Sequence, residues 1–319
     1  MKRRDFIGLL GSTIAAWPTL GRAQSPNRVF RLGHLGNTVP TEALTRETTL
    51  PELARLGFVE GRNLIFDARI GEADALPGLM SELVAARPDA VIAIGAPAIA
   101  AAGATRAVPI VTFGADPVQL GLAASYARPG GNVTGVVILI SQLEVKRLSM
   151  LREALPERRR VAVLTSQATA LGEGALRQAS AGLGVDLMVF SVATPHDYRA
   201  AFAAMQAAGV QALLVSATST FFRDGKQLAE LALEARLPTI CEWAEMAQAG
   251  CLFGYGPNRA ALRRRMADQI ARIFRGTAPG EIAIEQPVVF EFAVNQRIAK
   301  ALGVSIPLSI LTQAGDVFD

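Results

Sequence analysis

Between Phe113 and Val137 the chain reads FGADPVQLGLAASYARPGGNVTGVV, and the reading of this stretch decides the fold. An apolar strand ends at Phe113, Asp116 follows just beyond it, and Gly, Pro and small polar residues then lead to a second β-rich run at Val133–Val137. An acid placed just past the end of a buried strand is where open α/β sheets put ligands. The stretch is therefore a crossover from one α/β lobe to another, with Ala115 and Asp116 at the cleft and Val133–Val137 as a hinge strand. The Ala-Arg-Pro-Gly-Gly-Asn turn between them suits tight turning rather than ligand contact.

On the amino-terminal side, short apolar runs at 29–35, 64–70, 90–94 and 109–113 alternate with Ala-rich helical stretches at 74–86 and 97–105. Continuously apolar strands separated by helices indicate a parallel sheet covered on both faces. Beyond Val137 the pattern restarts, with strands at 160–165, 185–189, 211–215, 239–241 and 251–253. The clearest helix spans 258–275, with Leu262, Met266, Ile270, Ile273 and Phe274 on one face, arginines on the other, Asn258 at its start and Gly276 at its end. A strand at 285–294, a helix at 295–302 and an extended tail from Pro307 complete the chain. The expected architecture is α/β: two doubly wound parallel-sheet lobes joined by hinge strands, one comprising 28–137 plus 254–286 and the other 138–253 plus 287–319. Pro51 breaks the first helical pattern, which either begins near Pro51 or is kinked there.

The first residues, MKRRDFIGLLGSTIAAWPTLGRA (1–23), have the layout of a cleaved export signal: Lys2, Arg3 and Arg4, then a short apolar core, then Gly21 and Ala23 as small residues before the cut. Arg3-Arg4-Asp5-Phe6-Ile7 suits the twin-arginine route, and a general secretory signal with two arginines reads equally well. Cleavage removes four basic residues against one acid, lowering the formal charge from +4 to +1. The triplets Arg158-Arg159-Arg160 and Arg263-Arg264-Arg265 lack interleaved aromatics and read as solvated faces, so nucleic acid is not expected as a partner. Cys241 and Cys251 are the only cysteines. An oxidising compartment permits their pairing, but spacing alone leaves a disulfide and two buried thiols both open.

Motifs for nucleotide loops, serine hydrolases and zinc proteases are absent, and two histidines, His34 and His196, cannot build a metal cluster. No catalytic residue, metal or cofactor is expected. His34 reads as a structural histidine at a strand end. The strand ends instead collect small and polar residues: Asn37, Thr38, Gly95, Ala96, Pro97, Ala115 and Asp116 in the first lobe, and Ser166, Gln167, Ser216, Thr218, Glu242 and Trp243 in the second. The Gly95-Ala96-Pro97 turn opens a helix whose free N–H groups could hold a carboxylate. Asp116 and Glu242 could receive an ammonium or hydroxyls, and Trp243, Phe221 and Tyr255 an apolar group. Each has a structural alternative: a Ser or Thr as a helix cap, Asp116 as the stabiliser of the turn before Pro117. Arginine is scarce at these strand ends, so one carboxylate with one amino group fits better than a phosphate or dicarboxylate.

Five stretches, LGFVEGRN (56–63), DPVQLGLAASYARPGGNVTG (116–135), YGP (255–257), IFRGTAPGEIAIEQP (273–287) and NQRIAKALGVSIPLSIL (295–311), carry a resemblance over nearly the whole mature length. The chain resembles the substrate-binding proteins of ABC transporters in the group that includes tryptophan and tyrosine binders, with a type I periplasmic-binding-protein fold. The resemblance implies a periplasmic, monomeric receptor that closes on a small ligand, an amino acid with aromatic side chains among the candidates. Its partners would be an inner-membrane ABC permease and the ATPase that drives it. A periplasmic sensor presenting ligand to a membrane receptor, or a binder of another solute class, would use the same fold.

Overall fold

A run such as Ala90–Ile94 has no polar face to offer solvent, and all five of its residues are buried; it can only be an inner strand covered on both sides. In the computed structural model, which describes residues 28–103, 105–114, 116–166 and 173–319 with the backbone alone for Ala96, Pro97 and Glu173, such strands form two sheets. The expected export signal, Ala115 and Gln167 lie outside the described residues. The first sheet holds β1 (Phe30–Gly36), β2 (Leu64–Ile70), β3 (Ala90–Ile94), β4 (Ile110–Gly114) and β5 (Val133–Val137), in the order β2-β1-β3-β4-β5, all parallel. The second holds β6 (Arg160–Ser166), β7 (Asp186–Val192), β8 (Ala212–Val215), β9 (Thr239–Cys241), β10 (Phe253–Pro257), β11 (Phe290–Asn295) and β12 (Asp316–Phe318). Its order, β7-β6-β8-β9-β10-β11-β12, repeats the first sheet's topology across its first five strands. Each lobe thus has a topological switch point beside its first strand, where crevices open at the strands' carboxyl ends.

Period-2 alternation sends successive side chains of the first sheet to opposite faces. Leu35, Val91, Ala93, Ile110 and Val133 pack with the helices Leu76–Ala85 and Ala96–Gly103. Phe30, Leu32, Ile92, Ile94, Val111 and Phe113 pack on the other face, with Met266, Ile270 and Phe274 of the helix Arg259–Phe274. Phe30 stacks on Phe274 with ring centres 4.8 Å apart.

Three departures from the sequence reading have physical causes. Residues 254–257, expected in the first lobe, belong to β10 and pair with β9 in the second sheet, so the chain returns to the first lobe only with the helix at Arg259. Because the chain leaves at Pro257 and re-enters at Phe290 from the same end, β11 runs antiparallel to β10, and the second sheet is mixed rather than wholly parallel. The tail from Pro307 is not simply extended: a helix, Leu308–Leu311, precedes β12, which pairs parallel with β11. As the first of the two alternatives for Pro51 has it, an α-helix begins beside it: Leu50–Arg55 carries Pro51 in its first turn, and a π-helical turn, Thr45–Thr49, joins it to the helix Val39–Leu44. The wider turn shifts the carbonyl pairing just where Pro51 has no N–H to donate. Cys241 and Cys251 are joined in a disulfide.

The lobes meet at three crossings. At the first, Val137 N donates to Glu285 O at 3.0 Å and Glu285 N to Gly135 O at 2.9 Å, so outgoing and returning segments are bonded together. Gln269 Nε2 donates to Gly135 O and Ala283 O, both at 3.0 Å, which ties the long helix to the same point. Gly135 has a φ of +149° and no room for a side chain, since a Cβ would lie 2.2 Å from Thr112 O. Gly135→Ala is expected to destabilise the protein by about 3 kcal/mol, whereas Gly131→Ala, whose Cβ meets nothing closer than 3.8 Å, should change it by less than about 0.5 kcal/mol. Urea denaturation of both variants checks this; equal stabilities would refute the packing constraint.

Candidate functional site between the lobes

The carboxyl ends of β1, β3, β4, β6, β8 and β9 converge on one cavity of about 170 Å³. Asn37, Gly95, Asp116, Ser166, Thr218, Glu242 and Trp243 from the sequence reading line it. Asn37 and Ser219 bridge the two lobes, with Ser219 Oγ donating to Asn37 Oδ1 at 2.7 Å. A Cβ on Gly95, whose φ is +83°, would stand 3.1 Å from Ser219 Oγ, so glycine is needed there for both the turn and the closeness of the lobes. These contacts define a closed cleft.

Several expected residues do other work. Thr38 is buried, with its hydroxyl lacking a partner among the described residues, and does not line the cavity. Ser216 is buried at the end of β8, also away from it. Thr218 reaches the cavity but acts as a helix cap, its Oγ1 accepting from Phe221 N at 2.9 Å. Tyr255 is displaced altogether: it stacks on Phe290, and its carbonyl accepts from Arg147 Nε at 2.8 Å. Along β10 the neighbours Gly254 and Gly256 face Glu242 and Trp243, so alternation turns Tyr255 the other way. Cβ atoms on those glycines would come within 2.2 Å and 2.1 Å of the Trp243 and Glu242 carbonyls, which is why the YGP motif matters for its glycine. Phe221 packs against Tyr198 in the core; its neighbour Phe222 lines the cavity instead.

Asp116 takes the structural role weighed for it. Its Oδ1 accepts from Val118 N at 2.8 Å and Gln119 N at 3.3 Å, and its Oδ2 accepts from the Tyr126 hydroxyl. That bond to the carboxylate pushes the Tyr126 phenol up to about 12. Asp116 still presents charge to the cavity, while its turn and Tyr126 hold it in place.

The sequence reading missed the principal charges. Arg259 and Arg263, one helical turn apart on the helix Arg259–Phe274, are 9% and 4% exposed and both line the cavity, so the triplet 263–265 is not uniformly a solvated face. Arg264 and Arg265 are exposed. Arg259 sits 4.1 Å from the ring centre of Phe222 and 5.1 Å from that of Trp243, and pairs with Glu245 at 3.4 Å. All three partners belong to the second lobe, so Arg259 is a bridge across the cleft. Arg263 has no carboxylate within ion-pair distance among the described residues: it lies over Phe113 at 4.3 Å, and its Nη1 donates to Thr45 Oγ1 at 3.0 Å. Burial, with Arg259 adding repulsion, lowers the Arg263 guanidinium to about 9. Thr45 reaches this position because it opens the π-helical turn.

Glu242 faces the arginines from the other side. Burial pushes its carboxyl up to about 7, against the pull of Arg147 and Arg259 and with repulsion from Glu144. Arg147 is wholly buried and holds the Glu242 carbonyl through Nη2 at 3.3 Å. Among the described residues no group of three or more His, Cys, Asp or Glu could hold a metal ion.

His34 is buried beneath this site, its Nδ1 3.4 Å from Thr45 Oγ1 and its Nε2 without a partner among the described residues. Burial first, then Arg263 and Arg46, lower it to about 3. It is neutral in the fold but protonates near 6.5 in the unfolded chain, so its contribution to stability is whole above 6.5 and is lost as pH falls towards 3. His34→Asn should flatten the decline in urea stability between pH 6.5 and pH 4 relative to the parent; an unchanged slope would contradict a neutral buried imidazole.

With this geometry in view, the comparisons with known proteins are coherent. The family model described as "ABC transporter substrate binding protein" matches residues 42–318. The chain belongs to that family, whose members are solute-binding proteins rather than enzymes. A tyrosine-binding protein of Clostridioides difficile is 23% identical over 77% of this chain and 72% of its own. Among solved structures, a conserved domain protein from Vibrio cholerae superposes with a TM-score of 0.84 at 23% identity, covering 91% of this chain and all of that one. An ABC domain from Streptococcus pneumoniae in complex with L-Trp gives 0.82 at 22% identity over the same shares. These likenesses establish the type I periplasmic-binding-protein fold.

Proposed function

We propose that the protein is exported to the periplasm and there serves as the solute-binding component of an ABC importer, closing on a small amino acid and presenting it to an inner-membrane permease and its ATPase. The observation that carries this reading is Arg263, a buried cation with no acidic partner among the described residues, facing the cavity between two lobes. An unpaired buried charge costs on the order of several kcal/mol, and a ligand carboxylate removes that cost. The guanidinium face rests on Phe113, which leaves the N–H edge not used by Thr45 free for an in-plane carboxylate. The ligand's ammonium is assigned to the two carboxyl groups lining the cavity, Asp116 and Glu242, one from each lobe. The named relatives, a tyrosine binder and a protein solved with L-Trp, support an amino acid. The disulfide fits an oxidising compartment, and among the described residues no helix is long and apolar enough to cross a membrane.

Closure follows from differential contacts: Arg259 with Phe222, Trp243 and Glu245, and Asn37 with Ser219, can form only when the lobes meet, and a ligand held from both sides favours that state.

Two tests separate function from folding. Arg263→Met should lower affinity for carboxylate-bearing amino acids at least about a hundredfold while leaving the melting temperature of the ligand-free protein unchanged or higher, because an uncompensated buried charge is removed. Unaltered amino-acid titrations in a calorimeter would overturn the assignment. The ammonium assignment adds a pH dependence. Glu242 is half protonated near pH 7 and must lose its proton to pair with a cation, so affinity should rise with pH up to about 7 and then level, and Glu242→Gln should abolish the slope. A slope that persists in Glu242→Gln places the ammonium elsewhere.

A further inference from the structure

The cavity also constrains the ligand's side chain, and this step rests on the preceding reading of a carboxylate at Arg263. Three aromatic rings line the cavity, Phe113, Phe222 and Trp243. Each already carries a guanidinium: Arg263 over Phe113 at 4.3 Å, and Arg259 over Phe222 at 4.1 Å and Trp243 at 5.1 Å. A ligand ring stacking on the same face would have to displace an arginine and lose a buried cation–π contact. For Arg259 it would also disturb the bridge that closes the lobes. The wall left for a side chain is aliphatic, made by Leu44, Ile94, Leu120, Ile138, Leu139 and Ile140.

Size points the same way. The cavity measures about 170 Å³, close to the roughly 150 Å³ of an apolar cavity that accommodates benzene. A ring together with an α-carboxylate and α-ammonium is larger than benzene by the whole amino-acid moiety, whereas a short branched chain with the same moiety is much closer in size. The inter-lobe contacts leave little freedom to widen, since Ser219 is hydrogen-bonded to Asn37 and a Cβ on Gly95 would already crowd it at 3.1 Å.

We infer that the cleft selects a small aliphatic amino acid, with its branched side chain against the Leu44–Ile94–Ile140 wall, over the aromatic amino acids. The wall supplies shape and burial without a flat face, which suits methyl-bearing carbons and gives an aromatic ring no preferred geometry.

The test uses the full mature chain, stripped of bound solute by unfolding and refolding, titrated calorimetrically with L-valine, L-leucine, L-isoleucine, L-phenylalanine, L-tyrosine and L-tryptophan. At least one aliphatic amino acid should bind about tenfold or more tightly than all three aromatic ones, and Leu44→Ala, at a half-buried position, should weaken that ligand about tenfold with little effect on melting. An aromatic amino acid binding as tightly as the best aliphatic one overturns the inference and leaves the carboxylate reading standing. If L-leucinamide binds as well as L-leucine, or none of the six binds, the carboxylate reading itself fails and the inference fails with it.

Discussion

Two guanidinium groups are buried where the lobes meet, and the arrangement around them depends on how they are kept there. A charge taken out of water needs a replacement for its hydration. Arg259 finds one in Glu245 and two ring faces, all in the opposite lobe. Arg263 finds a ring, one hydroxyl and an open cavity. The supporting parts follow from this need: a π-helical turn that brings Thr45 to the guanidinium, a histidine held neutral beneath it, and a helix anchored by Gln269 to the hinge at Gly135. The lobes are thus joined by one charge that is satisfied across the cleft, while the other has no acidic partner among the described residues.

Much of the fold was legible because its signals are local. Apolar runs bounded by turn residues marked the parallel strands, and the restart after Val137 marked the second lobe. The positions just beyond strand ends marked the cleft, and seven of the expected residues do line it. Pairing across the second sheet was not legible, since the antiparallel β11 results from where the chain returns and no composition of Phe290–Asn295 encodes that.

Within the site, the misses have separate causes. Arg259 and Arg263 were read as the polar face of an amphipathic helix, yet steps of three and four from Arg263 reach Met266, Ala267 and Ile270, which are buried. The two arginines continue the buried stripe, a signal present in the spacing but overridden by their charge. Tyr255 could have been excluded by strand alternation once Gly254 and Gly256 were seen to face the cleft wall. The tie between Asp116 and Tyr126 depends on how the intervening loop folds back, which no period in the sequence reveals.

The threading of the long helix also bears on how the chain comes to be folded. One face of the first sheet is closed by Met266, Ile270 and Phe274, which are synthesised after every strand from β6 to β10. As the polypeptide emerges, Phe30, Leu32, Ile92 and Val111 therefore stay without their cover until about four-fifths of the chain has been made, an exposure that invites association with other nascent chains. The first lobe begins first and finishes late, so the two lobes mature together and neither can serve as a finished template for the other.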